Sequence, residues 1–527
     1  MKKQGDGYTA EVGRNKVFLA RGSGLLMHVT SLPGPGGIGD LGRGSREFLD
    51  FLAAAEQQYW QFLPLVPTCG VFGHSPYASF SAFAGNPLLI DPQGLVDEGL
   101  LSGTDLRDAP IFSEYLVEFD QVEPWKKALL RRAFAAFLNG GGRSALEQFG
   151  REEAWLEDYA LFMALRHERR GDPWYQWPAP LAARDGGALA KARRRLAEAI
   201  QFHRFEQYCF FRQLGKLRSY AAERGVRLIG DLPIYVGLDS ADVWALQDGF
   251  YLDPKTRGPV AVAGVPPDYF SATGQRWGNP LYQWHDADQQ PNEPLFQWWK
   301  ERFRHTFRMM DIVRVDHFRG FAAYWAIPAA EETAVNGQWV SGPGRPFFER
   351  MVRELGPLAI IAEDLGFMTT AVEELRDGLG LPGMKILQFA FDSDAANLYL
   401  PHNFSSSHCV VYTGTHDNDT VVGWYLSPGV AAASKQRAVR YANHPGTNEI
   451  NWDFIRLAFA STAITAIIPT QDVLGFGADC RMNFPGIGMG NWRWRCAARY
   501  LNDAVAGRLA DETRFYGRGR VPGQDAG

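Results

Sequence analysis

The stretch Asp311-Ile312-Val313-Arg314-Val315-Asp316-His317-Phe318-Arg319-Gly320-Phe321 sets a cation inside a β-branched run and then breaks into charge and aromatics. A strand apolar on both faces reads as an inner strand of a parallel sheet. Polar groups at its end stand where α/β folds keep their chemistry, at the carboxyl ends of the strands. Arg314 precedes Asp316 by two residues, and the two-residue period of a strand puts both on one face. A guanidinium that is always charged keeps a neighbouring carboxylate ionised and fixes its direction. That is how a carboxylate nucleophile is held; the plainer alternative is an ion pair stitching one strand to the next.

Outward from this run, seven further stretches read as strands: 23–29, 59–65, 226–230, 358–362, 384–389, 409–413 and 463–468. Most are separated by helical patterns, and eight inner strands alternating with helices make the count of a (β/α)₈ TIM barrel. An open doubly wound sheet is the alternative, because periodicity does not display closure. Residues 21–92 open the catalytic barrel. Residues 93–222 change texture to Ala, Leu, Glu and Arg runs and read as a large, mainly helical insertion. Residues 223–515 complete the barrel, with a loop insertion over 240–300 in which 250–284 is rich in Pro, Gly and aromatics. Residues 1–20 and 516–527 read as loose tails. The irregular segment 67–87 is long for a connection, and such loops usually carry function.

Composition narrows the class. The 527 residues carry 54 basic and 59 acidic side chains, a net charge of −5, so no basic footprint for nucleic acid exists. Sixteen Trp, 19 Tyr and 35 Phe supply ring faces of the kind that bind ligands, sugars among them, although large cores also consume aromatics. Cys69, Cys209, Cys409, Cys480 and Cys496 are scattered and odd in number, which favours a reducing compartment over a zinc site or a disulfide framework. The polar start lacks a signal-peptide core and no apolar run reaches spanning length, so a cytoplasmic location away from membranes is expected.

Acids fall at the strand ends: Asp231 after the third strand, Asp316 after the fourth, Glu363-Asp364 after the fifth and Asp417 after the seventh. In a barrel these ends converge on one rim. Crowding desolvated carboxylates is costly, so several together imply a purpose. Singly each has a plainer reading: Asp231 as a turn former, Glu363-Asp364 as a helix cap, His416-Asp417 as a hydrogen-bonded loop pair. Two acids facing across a bond, one ionised and one protonated, are the equipment of glycoside chemistry. His317 directly follows Asp316, and adjacent strand residues point to opposite faces, so a metal shared by the two is not expected. No Gly-rich phosphate loop opens a helix after a strand, which counts against nucleotide chemistry.

The motifs Arg314-Val315-Asp316-His317-Phe318-Arg319-Gly320, Ala362-Glu363-Asp364-Leu365-Gly366 and Tyr412-Thr413-Gly414-Thr415-His416-Asp417-Asn418-Asp419-Thr420 resemble those of the 4-α-glucanotransferases. This is the amylomaltase or disproportionating-enzyme family, glycoside hydrolase family 77 of the α-amylase clan. The likeness extends through Ser75-Pro76-Tyr77, Gly230-Asp231-Leu232-Pro233, Gly274-Gln275-Arg276-Trp277-Gly278-Asn279-Pro280 and Arg481-Met482-Asn483-Phe484-Pro485-Gly486, covering about residues 24–495. It implies Asp316 as nucleophile, Glu363 as general acid/base and Asp417 as transition-state stabiliser. It further implies that Arg314, Asp231, His317 and His416 hold the sugar at the cleavage point. Ser75, Tyr77, Gln275 and Trp277 are then donor- or acceptor-side contacts, the last two on a mobile loop over the cleft. Retention follows, and with it an Asp316–Glu363 separation of roughly 5–5.5 Å. The aromatic segment 262–280 is a plausible lid that excludes solvent, or else packing between helices. The substrates implied are maltooligosaccharides and linear α-glucans, with no cofactor and no metal. An α-glucan hydrolase on the same barrel and a non-catalytic glucan-binding protein are the competing readings, and no motif speaks to oligomeric state. Where relatives often carry Gly-Tyr-Gly-Asp, this chain has Cys69-Gly70-Val71-Phe72-Gly73-His74, and Val66 replaces a glycine. Both departures bear on a peripheral glucan contact rather than on the core chemistry.

Overall fold

The computed structural model describes residues 18–520 apart from 268–270, 287, 367 and 443–448. Its strands, in chain order, are β1 (Gly22–Leu26), β2 (Tyr59–Gln61), β3 (Arg227–Pro233), β4 (Ala261–Val265), β5 (Gln275–Pro280), β6 (Ile312–Asp316), β7 (Ala323–Pro328), β8 (Gln338–Ser341), β9 (Ile360–Ala362), β10 (Gly383–Ile386), β11 (Cys409–Tyr412) and β12 (Thr465–Pro469). Eight of them form one sheet in the order β10-β11-β12-β1-β2-β3-β6-β9, with every pair parallel. The two ends of that order meet where the Ala362 amide of β9 donates to Pro382 O, just ahead of β10, at 2.9 Å. The sheet is therefore a barrel, and the open alternative is excluded. Val313, Val315, Ile361, Val410, Val411 and Ile467 are fully buried, as inner strands covered on both faces require.

The helix Glu293–Met309 shows why the connecting segments fold as they do. Asn292 caps its start by accepting from Leu295 N at 3.4 Å, and a proline occupies the first turn, where its missing N–H costs nothing. Leu295, Phe296, Trp299, Arg302, Phe303 and Thr306 are buried along one stripe, the helical spacing of a core-facing surface. Arg302 on that stripe donates to Pro233 O at 2.6 Å and Ile234 O at 3.1 Å, steadying the end of β3 next to Asp231. Between β2 and β3 lie the helices Phe119–Asn139, Arg143–Glu152, Trp155–Glu168, Gly186–Arg195 and Ala197–Glu223. Buried Lys126 ties that segment to the barrel by donating to Leu88 O at 2.8 Å and Ile90 O at 2.9 Å.

Two expectations are corrected. The segment 250–284 is not all loop: β4 and β5 join β7 and β8 in a second, antiparallel sheet of order β5-β4-β7-β8. Half of that sheet comes from residues beyond the expected 240–300 insertion. Gly264 and Gly278 interrupt the alternation that would have announced these strands, and the β4–β5 register is itself irregular. Nor are the described parts of the tails loose. Leu19 is buried, and the Ala20 amide donates to the Tyr59 hydroxyl at 3.1 Å. Arg518 has no exposed surface and donates to the carbonyls of Phe459, Gly22 and Ala463 at 2.8, 3.0 and 2.9 Å. Residues 1–17 and 521–527 lie outside the described residues.

Candidate active site at the carboxyl-end rim of the barrel

Strand register assembles the first part of the site. β3 and β6 pair with Asp231 opposite Arg314 and Pro233 opposite Asp316. The Arg314 guanidinium, 4% exposed, sends Nη1 to both Asp231 oxygens at 2.9 and 2.7 Å and Nη2 to Asp316 Oδ1 at 2.9 Å. The Asp231 side chain is fully covered, whereas that of Asp316 keeps 29% of its surface open. One carboxylate anchors the guanidinium; the other is presented to the cleft. Burial pushes the Asp316 carboxyl up to about 6; Arg314 opposes this, and the charges of Asp231 and Asp417 add to it.

His317 does not continue the strand. Its φ is 53°, so the alternation argument stops at Asp316 and the chain turns into the short 3₁₀ segment Phe318–Phe321. The turn aims the His317 amide at Glu363 Oε2, 2.7 Å away, while the Leu365 amide donates to Glu363 Oε1 at 2.8 Å. Burial nonetheless dominates and pushes the Glu363 carboxyl up to about 7, with the Asp316 charge raising it further and Arg314 and the two amides pulling it down. The neighbouring acid has a different task. Asp364 accepts from Met384 N at 2.7 Å and from Arg376 Nη1 at 2.5 Å, joining β9 to β10. It does not cap the helix that follows.

The third carboxylate, Asp417, stands half-exposed on the loop after β11. Its Oδ2 lies 3.4 Å from His416 Nε2, its Oδ1 accepts from Asn483 Nδ2 at 2.6 Å, and its carbonyl accepts from Arg481 Nη2 at 2.5 Å. The His416 ring stacks on Tyr77, with centroids 5.1 Å apart, and the Tyr77 hydroxyl donates to Asp231 Oδ2 at 2.7 Å. Contacts thus run unbroken from Asp417 through His416, Tyr77, Asp231 and Arg314 to Asp316. The Ser75 hydroxyl accepts from the Tyr77 amide at 3.2 Å. Trp277 of β5, 38% exposed, stands perpendicular to the His317 ring with centroids 4.7 Å apart and donates to Gln275 Oε1 at 3.1 Å. Of the aromatic 262–280 segment, Tyr269 and Phe270 lie outside the described residues.

Contacts therefore link Asp316, Glu363, Asp417, Arg314, Asp231, His317, His416, Ser75, Tyr77, Gln275 and Trp277 into one cluster, whereas Asp364 lies outside it. The structure adds Asn483 and Arg481, which grip Asp417 from a segment more than sixty residues downstream. Their motif is legible, but a partner that distant is not.

A closed (β/α)₈ barrel whose rim holds carboxylates around one guanidinium, two of them with raised pKa, defines an enzyme equipped for nucleophilic and acid–base chemistry. A family model described as 4-alpha-glucanotransferase matches residues 27–501. The 4-alpha-glucanotransferase of Synechocystis sp. is 47% identical over 503 residues, covering 94% of this chain and 98% of that protein. That of Thermus thermophilus is 47% identical over 501 residues, covering 93% and 98%. Among solved structures, the amylomaltase from Streptococcus agalactiae in complex with acarbose superposes with a TM-score of 0.90 at 39% identity, covering 95% of this chain and all of that one. The chain belongs to the 4-α-glucanotransferase family. Its reaction is the transfer of a 1,4-α-glucan segment to an acceptor glucan or glucose. Among the described residues no helix is long and apolar enough to cross a membrane.

Proposed function

We propose that the transfer runs by double displacement with retention, with Asp316 as nucleophile, Glu363 as acid and then base, and Asp417 opposing the positive charge of the oxocarbenium-like state. The observation that carries this reading is the unequal treatment of two neighbouring carboxyls. Asp316 has a guanidinium at 2.9 Å, whereas Glu363 accepts from two backbone amides, so of the two carboxyls Glu363 is the one that keeps its proton to higher pH. Asp316 attacks the anomeric carbon as the C–O bond to the leaving glucan breaks and Glu363 gives that oxygen its proton. Ionised Glu363 then takes the proton of the incoming 4-hydroxyl, the new C–O bond forms, and Asp316 leaves. Arg314, Asp231, His317 and His416 hold the sugar at the cleavage point; Ser75, Tyr77, Gln275 and Trp277 serve as donor- or acceptor-side contacts. Maltooligosaccharides and linear α-glucans are the substrates, acted on in the cytoplasm, where the five free cysteines remain reduced.

Maltotriose tests the reaction: transfer yields glucose together with chains longer than the substrate, whereas hydrolysis yields glucose and maltose alone. The mechanism is tested with Glu363→Gln and a maltosyl fluoride donor, whose leaving group needs no proton. A glycosyl adduct mapped by mass spectrometry to Asp316 is expected. An adduct elsewhere, or turnover with inverted products, would remove Asp316 from the role.

A further inference from the structure

Strand β12 closes the barrel without sending a carboxylate into the cleft, yet the loop bearing His416 and Asp417 is fastened to its continuation. Past β12 the chain enters the short helix Thr470–Leu474, where Asp472 is 1% exposed. Its Oδ2 accepts from Thr413 Oγ1 at 2.5 Å and its Oδ1 from the Val421 amide at 2.7 Å. Thr413 directly follows β11, and Val421 opens the helix Val421–Leu426. One carboxylate therefore grips both ends of the segment that presents His416 and Asp417. The adjacent Gln471 donates to Cys480 O at 3.2 Å, steadying the segment from which Arg481 and Asn483 hold Asp417 on its other side. Asp472 is itself fixed by Asn451 Nδ2, which donates to its carbonyl at 2.8 Å.

A buried carboxylate is a costly way to gain stability, and a well-packed apolar residue usually serves better. Burial pushes the Asp472 carboxyl up to about 6, the nearby Asp419 adds to that, and the bonds from Thr413 and Val421 oppose it. Its two acceptors meet donors at opposite ends of a single loop, which is the geometry of a brace rather than of general packing.

We propose that Asp472 is a positioning residue for the transfer reaction: it sets the loop 413–421 so that Asp417 and His416 face the sugar. This rests on the role given to Asp417 above. The test is a double-mutant cycle read as kcat and KM on maltotriose, with thermal melting as a control. Asp472→Ala is expected to lower kcat about 30- to 100-fold, the scale of a misplaced catalytic group, and to change KM by less than about threefold. Asp472→Asn, which keeps an acceptor for Val421 and offers an amide to Thr413, restores most of the loss. In an Asp417→Asn background the same Asp472→Ala change costs little more, because both act through one group. If Asp472→Ala fails to fold, Thr413→Val removes one of the two bonds, with an expected fall in kcat of about tenfold and rescue by Thr413→Ser. A variant that melts earlier but keeps kcat, or losses that multiply in the double mutant, would overturn the proposal. An Asp417→Asn enzyme of full activity would instead refute the reading of Asp417, and the brace with it.

Discussion

Arg314 divides one guanidinium between two carboxylates with different fates: Asp231 is wholly covered and Asp316 faces the cleft. That the two residues of Arg314-Val315-Asp316 share a face was legible from the period of two. Which of Glu363 and Asp364 enters the cleft was not legible from the residues alone, because Asp364 is claimed by Met384 and Arg376, further along the chain. Two outcomes belong to this scale. The proposed mechanism requires Asp316 ionised and Glu363 protonated, and burial pushes their carboxyls up to about 6 and about 7. The rate constant kcat/KM should therefore rise as pH increases through about 6 and fall again above about 7; a profile flat from pH 5 to 9 would contradict the assignment. Removing the Tyr77 hydroxyl deletes one of the bonds that orient Asp231. A hydrogen bond to a charged group contributes about 1.5–3 kcal/mol, so Tyr77→Phe should lower kcat/KM at least about tenfold while the His416 stack persists. Equal activity in steady-state assays would take the hydroxyl out of the account.

The inner strands could be read from sequence because burial on both faces makes each of them a continuous apolar run. The antiparallel sheet beside the cleft could not, because β5 and β8 are mostly exposed and carry Gln, Arg, Gly and Asn where an apolar alternation would stand. Close approach replaces side-chain packing in that sheet: a Cβ on Gly264 would lie 2.2 Å from Gln275 O, so only glycine fits there. The consequence for function is that Gln275 and Trp277 sit on a hydrogen-bonded edge strand, steadier than a free loop, with the Trp277 indole against His317. In the proposed mechanism an aromatic wall at that point would cover a sugar bound at Asp316 and limit the approach of water. Trp277→Ala is expected to raise the ratio of hydrolysis to transfer several-fold, measured as reducing ends released per transfer product from maltoheptaose. An unchanged ratio would remove the wall from the mechanism.

At the scale of the whole molecule, the first and last barrel strands must be held side by side, and the amino-end face does this with arginine. Gly22 of β1 pairs with Thr465 of β12, and Arg518, arriving from the far end of the chain, donates to Gly22 O on one side and to Ala458, Phe459, Ser461 and Ala463 carbonyls on the other. Arg21 reaches the Phe459 and Ser461 carbonyls as well, at 3.3 and 3.2 Å. These are the last carbonyls of the helix Ile450–Ala460 and of the turn after it, groups that a helix end leaves without partners. The Gly/Arg-rich composition of the chain end pointed to a loose tail, since nothing local marks a residue whose partners lie 55 and more positions earlier. Arg518→Ala leaves buried carbonyls unsatisfied and opens a cavity, at a cost of about 2–4 kcal/mol. Arg21 still covers part of the same acceptors in that variant, so the double substitution should destabilise by more than the two single effects added together. Because this face is opposite the rim that bears the carboxylates, kcat at 20 °C should stay within about twofold while the urea midpoint falls. A midpoint that does not move would mean that the chain end adds nothing to closure. A loss of kcat in the fully folded variant would mean instead that the two ends of the barrel are mechanically coupled.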